Sequence, residues 1–360
     1  MIARRACLVG VMAMSAAVAG CASVRGSSGP RPALPLTSPA ERTAAIMQAR
    51  VWAPTDVGAM NIVAGPAGPG AFTPDETVTC DYRDKKQSGR SPKFSCVIAP
   101  DDEVKVKYGQ RNGEVYGEVA ASRLLWALGF GADRMYPVKV ECRGCPAKIQ
   151  GTAVSAIERK MAGKEIESGK KVGWAWPELE LIDANAAPER RAERDALKLL
   201  AAFLQHSDSK AEQQRLLCVS DAAGPARGEP CSKTFMMVSD LGLTFGRANR
   251  FNRNKLTGVN LDRWSRAPVW KSAAGCVANL SKSWTGTLDN PSIGEPGRAF
   301  LAGLLVQLTD VQIRDLFVVS RFTLRSISDD GPPAGSTIEN WVAAFKQKRD
   351  EIVNRRCLAL

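Results

Sequence analysis

Two aspartates, a lysine and a glutamate are the side chains of this sequence that could carry out catalysis together. Asp208 lies in a polar segment, residues 206–213, and Asp240 begins an Asp-Leu-Gly triplet, while Lys107 and Glu118 stand earlier in the chain. Phosphoryl transfer needs a cation on the phosphates, carboxylates on a metal ion and an acceptor for the proton of the nucleophile. The sequence contains each of these groups, provided that the fold brings them together.

Hydrophobic patterning places the lysine and the glutamate on neighbouring elements. Strand patterns cover residues 77–82, 93–98 and 103–108. Gly89 and Pro92 mark the segment between the first two strands as a hairpin loop. Lys107 stands near the end of the third strand, and Glu118 lies in a predicted helix over residues 117–130.

The two aspartates follow a second helix and a later strand. Pro188 begins a helical pattern that leads into residues 206–213, and an apolar strand over 234–238 leads into Asp240. The last third of the chain is predicted to be helical. Two residue pairs there have capping-box spacing: Thr309 with Gln312, and Ser336 with Glu339.

This order of elements resembles the protein-kinase-like fold. The resemblance covers roughly residues 75–325 and is closer to atypical secreted kinases than to cytosolic signalling kinases. Some uncharacterised exported bacterial proteins are similar in the same motifs. The resemblance implies an α+β, two-lobe fold, with a small N-terminal antiparallel β lobe at 61–160 and a mainly helical C-terminal lobe at 161–360.

The resemblance also assigns the nucleotide-binding side chains. Lys107 corresponds to the lysine that holds the α and β phosphates of ATP, and Glu118 to its ion-pair partner. Lys105 points to the same side of the strand and is the alternative to Lys107. The loop that contains Gly89 corresponds to the one that covers the nucleotide.

The remaining roles fall on the two aspartate segments. Asp208 corresponds to the catalytic base, with Lys210 in the same catalytic loop, and Asp240 corresponds to the ligand of Mg²⁺ or Mn²⁺. Gln213 stands where kinases place a metal-binding asparagine. Serine at 207 and leucine at 241 replace the usual arginine and phenylalanine. These departures leave a catalytically inactive, kinase-like scaffold as the alternative function. Nucleotidylation is a third possibility, since the same site could bind the phosphates of a nucleotide in a different pose.

Each aspartate taken alone also has a simpler interpretation. Asp208 could cap the turn after a helix, and Asp240 could begin a turn. The sequence has one histidine, His206, which excludes sites that need two. We interpret it as a buried residue that shapes its loop, and the serines therefore lack a base for a hydrolase triad.

The N-terminus resembles the lipobox of bacterial lipoproteins. Val-Ala-Gly-Cys at residues 18–21 follows Arg4, Arg5 and an uncharged stretch. The resemblance implies a signal peptide at 1–20, covalent lipid on Cys21 and a flexible tether at 21–60. It places the protein in the cell envelope, in the outer membrane facing the periplasm or the exterior. The alternatives are a signal peptide cut elsewhere and a cytosolic apolar helix.

The charge of the chain bears on its partners. The formal net charge is +12, which favours an anionic envelope polymer or a phosphorylated ligand as a partner. A protein substrate is the other partner that we expect. Because the chain is expected to be exported from the cytoplasm, nucleic acid is not an expected partner. Because the basic residues are scattered, an ordinary solvated basic surface is the simpler interpretation.

The cysteines predict disulfides, because an exported chain meets an oxidising compartment. Ten cysteines are present, of which Cys7 leaves with the signal peptide and Cys21 takes lipid. Sequence alone leaves many pairings open, but local pairs are favoured, and the last two cysteines then remain for each other. The favoured pairs are Cys80 with Cys96, Cys142 with Cys145, Cys218 with Cys231, and Cys276 with Cys357. Half of a zinc site at Cys142 and Cys145 is the rival interpretation.

Overall fold

The computed structural model describes residues 33–35, 37–169, 172–185, 188–219, 231–246, 258–326, 333 and 335–357. The predicted signal peptide, Cys21 and the first part of the predicted tether lie outside these ranges. Over the described ranges, no helix has both the length and the apolarity to cross a bilayer.

The described residues form a mixed α+β fold. The strands are β1 Thr77–Arg83, β2 Lys93–Ile98, β3 Asp102–Tyr108, β4 Arg134–Arg143, β5 Ser155–Arg159, β6 Lys164–Glu165, β7 Gln214–Cys218 and β8 Thr234–Val238. The α-helices are α1 Pro39–Met47, α2 Glu114–Ala127, α3 Pro188–Leu204, α4 Leu261–Arg266, α5 Glu295–Leu305, α6 Asp310–Val319 and α7 Ile338–Val353. Short 3₁₀ helices cover Val57–Ala59, Trp176–Asn185, Ala211–Gln213 and Phe322–Leu324.

The first five strands close into a barrel in the order β1-β2-β3-β5-β4. Alternate residues such as Phe94, Val104 and Val106 fill its interior. Lys93 and Lys107 face each other in the β2–β3 register and lie on the opposite side of these strands. Because side chains alternate between the two faces of a strand, Lys107 points out of the barrel.

The predicted antiparallel β lobe needs a correction, because β1 and β4 pair in parallel. A sheet that ended at β1 and β4 would leave two strands with unpaired backbone groups, and their pairing removes both edges. The region after residue 160 is mainly helical and includes β8, the strand predicted over 234–238. It contains a three-stranded sheet, β6-β7-β8, beside its helices.

Helix α2 lies against β4 and β5 and is buried on almost all sides. It begins at Glu114, three residues before the predicted start. Buried Arg123 donates hydrogen bonds to the carbonyl oxygens of Ile62 and Met135, which ties the helix to both flanking segments. A helix that is buried all round is a rigid support for side chains near its first turns.

Helix α1 falls inside the segment predicted to be a tether. Ser38 and Glu41 form a capping box, and Ile46 is fully buried. Buried Arg42 pairs with Glu178 at 2.7 Å. These contacts bring an Ala- and Pro-rich segment into the core, which its weak apolar periodicity did not predict.

The four predicted disulfides are all present. The capping box of Thr309 with Gln312 is also present at the start of α6. The other predicted cap is displaced by one residue, since Thr337 caps α7 through the backbone N–H of Asn340.

The disulfides should differ in their effect on stability according to the loops that they close. Cys276 and Cys357 are 81 residues apart, and Cys142 and Cys145 are 3 apart. On the chain-entropy model, serine at both positions of the long pair should lower the free energy of unfolding by about 4–5 kcal/mol, against about 2 kcal/mol or less for the short pair. Equilibrium denaturation of both double variants measures this, and equal losses would contradict it.

Candidate functional site

Lys107 is the buried centre of a cluster of charges. Its Nζ lies 2.7 Å from Oε2 of Glu114 and 2.5 Å from Oε1 of Glu118, and the residue is 2% exposed. Burial alone would lower the pKa of Lys107, but the carboxylates of Glu114, Glu118 and Asp240 hold it well above its ordinary value. Lys107 therefore remains a cation.

The two glutamates come from successive turns of α2. Glu114 and Glu118 are four residues apart, so they lie on one face of the helix. Glu114 also accepts a hydrogen bond from Oγ of Ser91 at 2.7 Å, at the end of the β1–β2 loop. The sequence analysis missed Glu114, although its spacing from Glu118 would have identified it once the helix start was known.

Asp240 completes the cluster from the segment after β8. Its Oδ1 lies 3.8 Å from Nζ of Lys107 and accepts a hydrogen bond from the N–H of Gly242 at 3.3 Å. Neighbouring protein atoms would raise the pKa of Asp240, whose side chain is still 39% exposed, but the Lys107 ammonium holds it well below its usual range. A Cβ at Gly242 would lie 2.4 Å from Cγ of Glu114, so this close approach requires glycine.

The environment of Glu118 has the opposite effect on its carboxyl group. Burial raises the pKa of Glu118, and the nearby charges of Asp240 and Glu114 raise it further, against the effect of Lys107. Like charges this close cannot all be accommodated by one ammonium group. Glu118 therefore keeps its proton to a higher pH than an ordinary glutamate, and its side-chain hydrogen bond with Asp240 contributes to this.

Asp208 is joined to Asp240 through Gln213. Nε2 of Gln213 donates to Oδ2 of Asp208 at 2.8 Å and to Oδ2 of Asp240 at 3.2 Å. Nζ of Lys210 lies 3.2 Å from Oδ1 of Asp208. The amide nitrogen of Gln213 thus faces both carboxylates, and its buried Oε1 has no hydrogen-bond partner among the described residues.

A second loop fixes the backbone beside Asp208. Buried Ser209 accepts hydrogen bonds at Oγ from the N–H groups of Thr287 and Leu288, at 3.2 and 3.1 Å. Its carbonyl oxygen accepts from Oγ1 of Thr287 at 2.7 Å. Trp284, in the same loop, is 99% exposed. The Asp208 loop is therefore held by the segment that carries this exposed indole.

His206 lies under the same loop and is buried. Neither ring nitrogen has a hydrogen-bond partner in the described part of the chain, and burial lowers the pKa of His206 to about 4. Its ring packs 6.3 Å from that of Trp176. A neutral, enclosed imidazole agrees with a residue that shapes the loop.

The remaining predicted residues lie at the edge of the cluster. Gly89 has a φ of +83°, and a Cβ there would lie 3.0 Å from Nζ of Lys93. Burial and Lys107 lower the pKa of Lys93. Lys93 is thus a second cation beside the cluster, which the sequence analysis did not single out. Lys105, the alternative to Lys107, pairs with Glu158 at 2.5 Å.

Comparisons with known proteins give limited information. No protein-family model matches the chain, and no curated protein matches it in sequence. A crystal structure of the proinflammatory kinase CtkA of Helicobacter pylori aligns with 78% of this chain and 96% of its own length. The aligned residues are 13% identical and the TM-score is 0.45, too low to assign a fold or a function.

The buried histidine predicts a specific loss of stability in acid. An unfolded histidine takes up a proton near pH 6.5, whereas folded His206 stays neutral down to about pH 4. The contribution of neutral His206 to the free energy of unfolding is therefore fully present above pH 6.5. As the pH falls to 4, the free energy of unfolding decreases by about 3 kcal/mol. Denaturant unfolding of the wild type and of His206→Phe should diverge in this window. Parallel profiles would contradict the assignment.

Proposed function

We propose that the chain is a kinase-like envelope protein that binds ATP with Mg²⁺ or Mn²⁺ and transfers the terminal phosphoryl group to a hydroxyl acceptor. The observation that carries the proposal is the convergence of Lys107, Glu118, Asp240 and Asp208 from four separate elements. The barrel with α2 forms one lobe in this proposal, and the helices with the second sheet form the other.

The phosphate side of the site would be formed by lysines. Lys107 is held as a cation by carboxylates that the β3–α2 arrangement brings to it, and Lys93 lies opposite it in the strand register. Phosphate oxygens could replace a glutamate as the partner of Lys107 without leaving its charge unpaired. Positioned cations of this kind stabilise the charge of a transferring phosphoryl group.

The described residues fit a hard divalent cation, which prefers oxygen ligands. Glu118 is buried, and one carboxylate oxygen from each of Asp240, Glu114 and Glu118 lies within 4.8 Å of the other two. A bound Mg²⁺ or Mn²⁺ would neutralise phosphate charge. The residues that would hold it are Asp240, with Gln213 from the sequence prediction, and the nearby glutamates.

In this proposal Asp208 is the base of the transfer. Its carboxylate would take the proton of the acceptor hydroxyl as that oxygen bonds to the γ phosphorus and the bond to the β–γ bridging oxygen breaks. ADP is then the leaving group. Lys210, 3.2 Å from Asp208, would stabilise negative charge beside the acceptor.

Two aspartate substitutions should separate binding from transfer. Asp208→Asn should retain ATP·Mn²⁺ affinity and lose roughly 10²- to 10⁴-fold in transfer rate, as expected for a lost general base. Asp240→Asn should lose metal-dependent ATP binding. Calorimetric ATP titration and incorporation of label from γ-labelled ATP into protein or envelope extract measure the two steps. Exposed Asp101→Asn is the control, and equal activity in all three variants would contradict the proposal.

One observation favours the alternative of an inactive, kinase-like scaffold. The amide of Gln213 directs its nitrogen, which is not a metal ligand, to both aspartates. In that case the basic surface would bind an anionic envelope polymer. Salt-sensitive binding of envelope material that survives substitution of both aspartates, with no incorporation of label, would favour the scaffold.

We also propose that lipid on Cys21 anchors the protein in the cell envelope. Acyl chains contribute about 0.8 kcal/mol for each buried CH₂, so several chains give a stable anchor. Cys21→Ser should leave the protein out of the membrane fraction and without palmitate label. Cys7→Ser is the matched control, because Cys7 would be removed with the signal peptide. Equal membrane partitioning of both variants would contradict the anchor.

A further inference from the structure

Asp133 is a buried aspartate that the proposed transfer does not use. It ends the connection between α2 and β4, and its side chain is 1% exposed. Its Oδ1 accepts a hydrogen bond from the N–H of Met161 at 2.9 Å, and its Oδ2 lies 3.2 Å from Nζ of Lys160. The same Oδ2 accepts a hydrogen bond from Oγ of Ser239 at 2.7 Å. The partners of this buried carboxylate thus include a cation, as a buried charge requires.

The contacts of Asp133 join three segments that are far apart in the sequence. Lys160 and Met161 directly follow β5, in the connection from the barrel to the second sheet, and Ser239 directly follows β8. The residue after Ser239 is Asp240. Asp133 therefore ties the segment that leads into Asp240 to the α2–β4 connection and to the end of the barrel.

The residue before Asp240 is also held from the other side. The N–H of Ser239 donates to the carbonyl oxygen of Gln213 at 2.9 Å, and the N–H of Asp240 donates to the same oxygen at 3.3 Å. The hydroxyl of Ser239 points to Asp133 instead. The backbone at Ser239 is thus fixed both from the barrel and from the segment that contains Asp208.

The side chain of Asp240 depends on this backbone because most of its own contacts are long. Apart from a side-chain hydrogen bond with Glu118, its carboxylate lies 3.8 Å from Nζ of Lys107, 3.3 Å from the backbone nitrogen of Gly242 and 3.2 Å from Nε2 of Gln213. Hydrogen bonds are weak at these distances, and the side chain is 39% exposed to water. A fixed backbone therefore contributes to the orientation of the carboxylate.

We propose that Asp133 is a positioning residue for Asp240 and that it acts through the hydroxyl of Ser239. The inference rests on the proposed function for the role of Asp240, but the link itself can be measured without nucleotide. Because Asp133 lies where the barrel meets the second sheet, it fixes the place of Asp240 relative to Lys107 on β3.

Ser239→Ala removes this link and spares the rest of the network, because Asp133 keeps Lys160 and the N–H of Met161. The Mn²⁺ concentration for half-maximal ATP binding to the full chain should rise about tenfold or more, since misplacing a site group by about 1 Å can cost about 10²-fold. Ser239→Thr keeps the hydroxyl and should stay within a few-fold of the wild type. Ser320→Ala, at another buried serine, is the matched control. An unchanged Mn²⁺ requirement in Ser239→Ala overturns the inference.

Asp133→Ala tests the carboxylate itself. Alone it should raise the Mn²⁺ requirement as Ser239→Ala does, and in the Ser239→Ala background it should raise it no further, because both changes break one link. A rise that is confined to Ser239→Ala would mean that the hydroxyl acts without Asp133, which contradicts the inference. If Asp133→Ala does not fold, the variants at Ser239 decide the question.

Denaturant unfolding without metal or nucleotide separates positioning from a bond that is only structural. Ser239→Ala, Asp240→Asn and the double variant form a double-mutant cycle. If the hydroxyl holds Asp240 beside Lys107, the double variant should lose less stability than the sum of the two single losses. Additive losses overturn the inference. A non-additive cycle in a protein that binds no ATP with Mn²⁺ would sink the proposed function alone.

Discussion

The structure depends on one buried ammonium group and the carboxylates that surround it. Lys107 is almost inaccessible, and removing one partner from a buried ion pair costs about 3–5 kcal/mol. Strand β3, helix α2 and the segment after β8 must therefore meet at one point. The barrel presents Lys107 on its outer face, and the enclosed helix α2 presents Glu114 and Glu118 opposite it.

From this cluster a chain of polar contacts leads to the second aspartate. Asp240 touches the cluster with one oxygen and the amide of Gln213 with the other, and Gln213 continues to Asp208. The carboxylates near Lys107 thus adjoin the proposed phosphate site, and Asp208 lies at the other end of these contacts, next to Ser209, which Thr287 and Leu288 hold in place. This separation of a charge-neutralising end from a proton-accepting end is what a transfer between two bound molecules requires.

Local patterns in the sequence predicted the parts of this arrangement that depend on neighbouring residues. The strand period and the helical spacing placed Lys107 and Glu118. The expected oxidising compartment predicted the disulfides, three between cysteines close in sequence and the fourth, Cys276 with Cys357, as the remaining pair. Glu114 was missed because α2 begins after Gly113, which has no side chain to cap the helix. The parallel β1–β4 pair joins strands far apart in sequence, and helix α1 depends on burial of Ile46, so neither was visible in local periodicity.

The central claim is that Lys107 lies at the phosphates of a bound nucleotide. An acyl-phosphate derivative of ATP, which acylates a lysine beside its phosphates, tests this directly when the modified residue is mapped by peptide mass spectrometry. The account predicts acylation at Lys107, or at Lys93 across from it, that requires Mn²⁺ and is prevented by excess ATP. Modification confined to exposed lysines such as Lys282, with no protection by ATP, would contradict it.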